Sequence, residues 1–557
     1  MSNNKEKLSI LEKCAYGLGD MACNLFWGLI VLSATFYTEY FGIAPAAAAT
    51  MMFIVRLFDI SFDVIIGAVS DRKKTKYGRF RPWILYGVIP FCVIGFFAFF
   101  TPNFSEGGKI VYAYITYLLF MLMYSVVNVP YGSLMGVISE DPKERTEVSA
   151  YRNVFAQIGC LVVYGTLFIS VRALQDNYGL EGSTAFSWIV GIYSVVVLIS
   201  LLCTFFFTRE RVEPVKEENE KSNLKQDIKE LLSNRSWIIL TIAGIMTLVF
   251  IFCHNGLTTY YAKYYVADMA VHDSGIITSI DSIIPEGKKD KVAVYNLSNG
   301  VSDTTNSAKV IYKDGNKLAT ERSFQALSTN GTYESIVKVR GEEAAPAVGD
   351  KVSYFTYEVS GSFLGFELTW EILSTILLSI SSLITIIGTL IIQAVVPFFG
   401  KKWTWIGCFV LASITSILFL FVSKESLGMI IILQTLFTLS IGPASYIMWS
   451  MYADVADEAE VKTGNRATGL IFSSATMAQK LGTTLANSIP IWVLGGIGFI
   501  ANDLNMTGEI KDTILSVFAL FPLIGSAIAV IALLFYRLDE KQIAENSKKL
   551  AEMKKNN

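Results

Sequence analysis

The chain has 557 residues, 52% of them hydrophobic and 17% charged, with a formal net charge of -2 and a mean hydropathy of +0.47. That balance excludes an ordinary soluble domain in favour of a polytopic membrane protein, and it gives no reason to invoke nucleic acid. The seven cysteines lie in or beside apolar runs without paired spacing, and there are only two histidines, so neither a disulfide framework nor a zinc or histidine-rich metal site is indicated.

Met1 to Lys13 is polar and is not followed by a short apolar region with a cleavage site, so no signal peptide is expected. Beyond it, apolar runs of about 20 residues predict about twelve spanning helices. Their approximate spans are 14–41, 46–70, 82–101, 110–138, 149–172, 184–208, 236–266, 369–396, 403–422, 427–453, 466–497 and 513–536. The second span carries Arg56, Asp59 and Asp63. At spacings i, i+3 and i+7 these share one helix face. A charge near the bilayer centre costs roughly 2.5–3.5 kcal/mol on the lenient insertion scale, so that face is expected to look into a protein interior or a wet cavity. One reading makes Arg56 a structural partner of one aspartate. The other makes the surplus carboxylate an ion or proton site.

Lysine and arginine fix the expected orientation. The connection 71–81 is strongly basic, and Lys401, Lys402, the segment 209–235 and the tail after Arg537 add more, whereas the connections near Gly42 and Thr101 carry almost none. Both termini are therefore expected in the cytoplasm, in a multi-pass protein of the inner (plasma) membrane. The segment 209–235 is charged and reads as a linker between 1–208, an N-terminal six-helix bundle, and a C-terminal bundle made of 236–266 and 366–540, with 541–557 as a tail. Faint similarity between 128–159 and 442–482 suggests repeated halves, as in alternating-access transporters.

Residues 267–365 break the pattern. They are polar, contain no spanning segment, and are too long for an ordinary loop. Lys291–Leu297, Ala308–Lys313 and Lys351–Val359 are strand-like and separated by turn sequences, which predicts a small antiparallel β insertion outside the membrane. A surface partner for this insertion, or a sugar sensor in which the helices serve as an anchor, is the alternative reading.

Four motifs together resemble the glycoside–pentoside–hexuronide:cation symporters, the melibiose-permease-like branch of the major facilitator superfamily. They are Tyr16-Gly-Leu-Gly19, Arg56-Leu-Phe-Asp59 running on to Asp63, Gly78-Arg-Phe-Arg-Pro-Trp83 and Asn128-Val-Pro-Tyr-Gly-Ser-Leu134. The resemblance covers nearly all the helical chain and omits 267–365. It implies an all-α major facilitator fold of two six-helix bundles around a central sugar site, with cation and sugar moving together. By the same resemblance Asp59 and Asp63 match cation-site aspartates, Lys480 in Thr476-Met-Ala-Gln-Lys480 matches a lysine near that site, and Arg152 matches an arginine near the sugar. Asn24 and Asn128 fall where melibiose-type members carry sugar-binding aspartates. Phe62 stands where those members have an asparagine, and Gly132 where they have a tryptophan. A larger glycoside, an oligosaccharide or a hexuronide is therefore expected rather than melibiose.

The residues support that assignment on their own chemistry. Lys480 and Arg152 sit in otherwise apolar helices, where each needs a partner. Asp59 and Asp63 are the expected partners of Lys480, with Thr476 beside it. Asn24, Tyr124, Asn128, Arg152 and Lys480 supply the amide, hydroxyl and cationic groups that a sugar needs. Interhelical hydrogen bonding by the two asparagines and snorkelling by Arg152 remain open. Asp454, Asp457 and Glu458 are expected in a charge network that holds the halves together, and Asp20 has no assignment. No nucleotide loop, Ser/His/Asp set or metal motif is visible, so an enzyme is not expected. No cofactor is expected beyond a coupling ion, H+ or Na+. Sodium must exchange its water for several oxygen ligands, and Phe62 offers none, so the pattern favours a proton.

Overall fold

The computed structural model describes residues 7–556 except 71–74, 140–141, 179, 212–231, 443, 464–467, 502–505 and much of the chain between the strands from 284 to 365. The central part of the expected linker, and most of the strand expected at 308–313, lie outside the described residues.

Apolar sequence in lipid must satisfy its backbone internally, which leaves helices as the solution here. The first half comprises α1 (Ile10–Val31), α2 (Pro45–Ser70), α3 (Arg81–Ala98), α4 (Glu106–Val137), α5 (Pro142–Tyr178) and α6 (Gly182–Phe207). The second comprises α7 (Arg235–Tyr260), α8 (Trp370–Phe399), α9 (Lys401–Leu418), α10 in two pieces (Leu427–Ile441 and Ala444–Thr463), α11 (Thr468–Gly496) and α12 (Gly508–Leu534), followed by a polar helix α13 (Glu540–Asn556). Among the described residues, ten spans are long and apolar enough to cross a membrane. The charged helices α2 and α11 are as long, 26 and 29 residues. Helix starts are set by side-chain caps: Ser9, Asn234, Thr369 and Thr507 each accept a backbone N–H three residues on. Large apolar side chains such as Trp188, Ile192, Leu390 and Ile531 are exposed, as expected of a surface that meets lipid rather than water.

The halves meet mainly through the second helix of each against the fifth helix of the other. The first half packs α2 on α11 and α5 on α8, and α1 approaches α7. At one end of the bundle α1 runs on through Ser33–Thr35 into a π-helical turn, Phe36–Tyr40, and α7 runs directly into another, Tyr261–Val266. Such turns are rare and concentrate at functional sites.

The insertion grows from this same end. Its strands are β1 (Ala267–Ile283), β2 (Val292–Leu297), β3 (Ser302–Thr305), β4 (Lys313–Asp314), β5 (Lys317–Leu318), β6 (Phe324–Leu327), β7 (Tyr333–Lys338), β8 (Lys351–Phe363) and β9 (Phe366–Thr369). The antiparallel order β1-β2-β3-β6-β7-β8-β9 closes on itself, because β1 also pairs with β8, Val271 opposite Phe355. Closure leaves few free strand edges. β1 follows the π turn without a linker and β9 leads straight into α8, so the base of the insertion is continuous with two membrane helices. Asp268 adds ion pairs to Lys424, between α9 and α10, and to Lys511 of α12, the latter at 3.5 Å. Partial burial works to raise the Asp268 carboxyl, but the two lysines outweigh it and hold the group below its ordinary value.

The Gly78-Arg-Phe-Arg-Pro-Trp83 motif has a structural cause. Glu210, just after α6, accepts the backbone N–H groups of Arg79, Phe80 and Arg81 at 2.8, 2.8 and 3.0 Å, capping α3. Gly78 has a φ of 106°, and a Cβ there would lie 2.4 Å from the Glu210 carboxyl, so only glycine fits.

In the acidic cluster of α10, Asp454 and Glu458 differ from expectation. Asp454 pairs with Lys401 at 2.6 Å and Glu458 with Lys462 at 2.5 Å. Both described pairs stay within the second half and tie α10 to α9 and to its own next turn, instead of joining the halves.

Candidate functional site

The charged face of α2 turns into the interface between the halves. Asp59 is 0% and Arg56 2% exposed. Arg56 Nη1 donates to Asp59 Oδ2 at 3.2 Å, and its guanidinium lies 5.3 Å from the Trp27 ring. Ser125 of α4 donates to Asp59 Oδ1 at 2.6 Å. From the other half, Lys480 of α11 places its Nζ 2.9 Å from Asp59 Oδ2, 2.5 Å from Asp63 Oδ2 and 3.3 Å from Ser125 Oγ. Two carboxylates thus meet two cations, Arg56 and Lys480, and the cluster is charge-balanced without any bound ion. Asp63 Oδ1 and Arg56 Nη2 are buried without a hydrogen-bond partner among the described residues. Such orphaned groups are costly unless something fills them.

The surrounding donors define what could fill them. Carboxylate and hydroxyl oxygens suit a hard cation or a proton, not a soft metal. Phe62 is half-buried, and Ser61 turns back to the Leu57 carbonyl at 3.1 Å, so neither adds an oxygen ligand. Thr476, one turn before Lys480 on α11, is exposed.

A second cluster lies on α1, α4 and α5. Arg152 Nε is 3.2 Å from Asp20 Oδ2, and its guanidinium carbon sits 5.8 Å from the Tyr131 ring centre. Tyr131 stacks on Tyr16 at 4.8 Å, and each tyrosine hydroxyl donates to the other residue's carbonyl, at 3.2 and 2.8 Å. Asp20 is nearly buried, while the Arg152 side chain is 36% exposed. The arginine is therefore anchored at one side and accessible at the other, rather than snorkelling away. Asn24 donates to the Asp20 carbonyl at 2.9 Å, and its Oδ1 receives the Cys160 thiol at 3.7 Å. α1 and α5 touch here: a Cβ at Gly159 would meet the Met21 carbonyl at 2.5 Å. Asn128 is half-buried and makes no hydrogen bond among the described residues.

Trp27 and Tyr124 join the two clusters. Tyr124 lies between Phe91 at 5.9 Å and Trp27 at 6.0 Å, and Trp27 is the ring beneath Arg56. An aromatic floor of this kind suits the apolar face of a pyranose, and the amides and guanidinium suit its hydroxyls. Sequence reasoning left Ser125 and Trp27 out and gave Asp20 no assignment. Asp20 is four residues before Asn24, Ser125 three before Asn128, and Trp27 three after Asn24, so helical spacing from residues already singled out would have found each.

A third polar group belongs to the second half alone. His254 Nε2 meets Gln434 Oε1 at 2.8 Å, and Gln434 and Thr438 donate to Ser381 at 2.8 and 3.2 Å. His254 and Gln434 are 0% exposed, so this network serves to bind α7, α8 and α10 together.

Known proteins share this architecture. A family profile described as MFS/sugar transport protein matches residues 15–275 and 353–540, leaving out most of the insertion. The inner membrane symporter YicJ of Escherichia coli (strain K12) is 27% identical over 99% of this chain and 96% of its own. The glucuronide carrier protein homolog of the same strain is 25% identical over 97% and 95%, and the isoprimeverose transporter of Lactiplantibacillus pentosus 24% over 97% and 92%. Among solved structures, a D-xylose-proton symporter superposes with a TM-score of 0.53 at 11% identity, over 94% of this chain and 96% of that one; the likeness is one of fold.

Proposed function

The chain belongs to the MFS/sugar transport protein family, and from that premise we propose that it moves a sugar by cation-coupled symport, through alternating access of its two halves. The observation that carries this reading is Lys480 of one half paired with Asp59 and Asp63 of the other. Breaking a buried ion pair by removing one partner costs about 3–5 kcal/mol, because a charge is left uncompensated. A cation arriving at Asp63 takes over the neutralisation that Lys480 provides. Lys480 is then released, α11 is no longer tied to α2, and the halves can rearrange. The sugar sits against Trp27 and Tyr124 and is held by Asn24, Asn128 and Arg152, with Asp20 fixing the arginine. One named relative is a homolog of a glucuronide carrier protein and another is an isoprimeverose transporter, which supports a glycoside, oligosaccharide or hexuronide as the substrate class. Nothing in the comparisons favours the anchored-sensor alternative, and the family is one of transporters rather than enzymes.

The reading places the protein in the inner membrane with both termini in the cytoplasm, in line with Lys401, Lys402, Arg79, Arg81 and Arg211 at the end opposite the strands. The insertion then faces outward. Phe62 beside the carboxylates favours a proton over sodium as the coupling ion, since a proton needs one carboxylate and no cage of oxygens. The direct test is uptake of a panel of labelled glycosides by right-side-out and inside-out vesicles, with sodium and pH varied separately. Accumulation above equilibrium under one cation gradient is expected; simple equilibration of every sugar under both gradients would overturn the reading.

A further inference from the structure

At the strand end the two π turns meet. Thr38 and Tyr260 share a hydrogen bond of 2.7 Å across the halves. One residue on, Glu39 Oε2 receives Lys263 Nζ at 2.7 Å and the Tyr264 hydroxyl at 2.5 Å. This ion pair is dry, with side-chain exposures of 3% for Glu39 and 7% for Lys263. Three rings enclose the ammonium: Tyr264 at 5.0 Å, Tyr357 at 4.9 Å and Trp370 at 5.0 Å. Tyr264 belongs to the second half and Trp370 opens α8, but Tyr357 comes from β8 of the insertion, edge-on to Tyr264 at 5.4 Å. Arg172 of α5 and Glu371 of α8 form a looser pair nearby, at 3.7 Å.

We infer that the base of the insertion is a working part of the outer gate: Tyr357 completes an aromatic cage that keeps Lys263 dry and paired with Glu39 while the strand end is closed. The inference rests on the alternating-access reading, since only a protein whose halves part at this end has a gate here. All three rings travel with Lys263 on the second half, whereas Glu39 travels with α1. Opening therefore removes Glu39 and admits water, and a cation–ring contact is worth most when the cation is desolvated. The cage thus favours the closed state over the open one, which is the differential interaction a conformational shift requires. A buried lysine without these rings would face the desolvation cost of the ion pair with little to offset it. The strands beyond this base are not needed for the effect.

The test is hydrogen exchange of the full-length protein in lipid, followed over 36–41 and 260–266, with uptake measured in parallel. Tyr357→Ala should speed exchange of both segments about tenfold, the population change that follows from losing one desolvated cation–ring contact. Tyr357→Phe should exchange like the parent, and Lys263→Arg should stay closer to it than Lys263→Gln. The charge-swapped pair E39K with K263E should not recover protection, because ring faces repel a carboxylate. Should Tyr357→Ala unfold the strands, seen as lost protection over 267–276, Trp370→Leu leaves every strand in place and carries the same expectation. Parental exchange in the ring variants, or full recovery by the charge swap, would overturn the cage and leave a plain ion pair. Failure of the unaltered protein to move any glycoside would sink the transport reading without touching the exchange result.

Discussion

Lys480 Nζ lies 2.5 Å from Asp63 Oδ2, an ion pair made between the two halves of the molecule. A contact of this strength across a moving interface must break in each cycle, and Asp63 still has one buried carboxylate oxygen without a hydrogen bond. On the proposed reading the pair is both a lock and the place where a coupling ion acts.

Lys480→Ala removes the cation from two carboxylates at once. Accumulation should be lost, and the purified protein should be destabilised by about 3–5 kcal/mol as uncompensated charge is left buried. Combining it with Asp63→Asn should restore part of that stability, measured by thermal unfolding. Simple addition of the two losses would show that the residues do not interact.

In the proposed sugar cluster, Asn24→Ala, Asn128→Ala and Arg152→Ala should each weaken substrate affinity by about 0.5–1.5 kcal/mol per hydrogen bond lost, the arginine more. Asp20→Asn should raise KM at nearly constant maximal rate, because Asp20 orients Arg152 and does not meet the sugar. Asp20→Glu should recover more than Asp20→Asn. Direct binding measurements on purified variants check this, and unchanged affinity in all of them would place the sugar elsewhere.

Glu210→Ala should act on folding alone. It leaves three backbone donors of α3 without their acceptor, at about 1–3 kcal/mol for a buried unsatisfied group. Thermal unfolding should fall while affinity of the remaining folded protein stays the same.

The strands beyond the base should be dispensable. Replacing 278–350 by a short flexible linker, with Asp268 and Tyr357 kept, should leave uptake largely intact; loss of uptake with normal insertion into the membrane would give those strands a role in the cycle. Asp268 sets the acid limit of the base. Its carboxyl is held below the ordinary value, so its contribution is fully present above the unfolded value of about 3.9 and fades only as pH falls through the lowered folded value. Protection over 267–276, taken relative to the intrinsic amide exchange rate at each pH, should therefore be level from neutral pH down to the ordinary carboxylate range and fall below it.

Much of this was legible in the chain. Apolar runs gave most helix positions to within a few residues, because a bilayer leaves the backbone little choice, but missed the polar ends of α5 and α10; the turn-punctuated segments at 292–297 and 351–359 are strands. The charges of α2 stood out because intramembrane charge is expensive. What stayed hidden were relationships between distant segments. Asp20 and Arg152 are 132 positions apart in the chain, and nothing local marks them as partners. The cage around Lys263 draws on the π turn after α7, on α8 and on β8, so its rings read singly as ordinary apolar residues. Asp454 and Glu458 were misjudged for the same reason: their sequence shows that they need cations but not which half supplies them.

The most direct measurement compares the parent protein with Asp63→Asn in sealed proteoliposomes, using the glycoside that the uptake panel identifies. The parent should concentrate the sugar when an inward pH gradient is imposed in sodium-free buffer. Asp63→Asn should exchange sugar across the membrane but never concentrate it. A parent driven by a sodium gradient alone would show that Phe62 was misread and that the remaining oxygens suffice. Full accumulation by Asp63→Asn would contradict coupling through Asp63, because the carboxylate would then take no part in it.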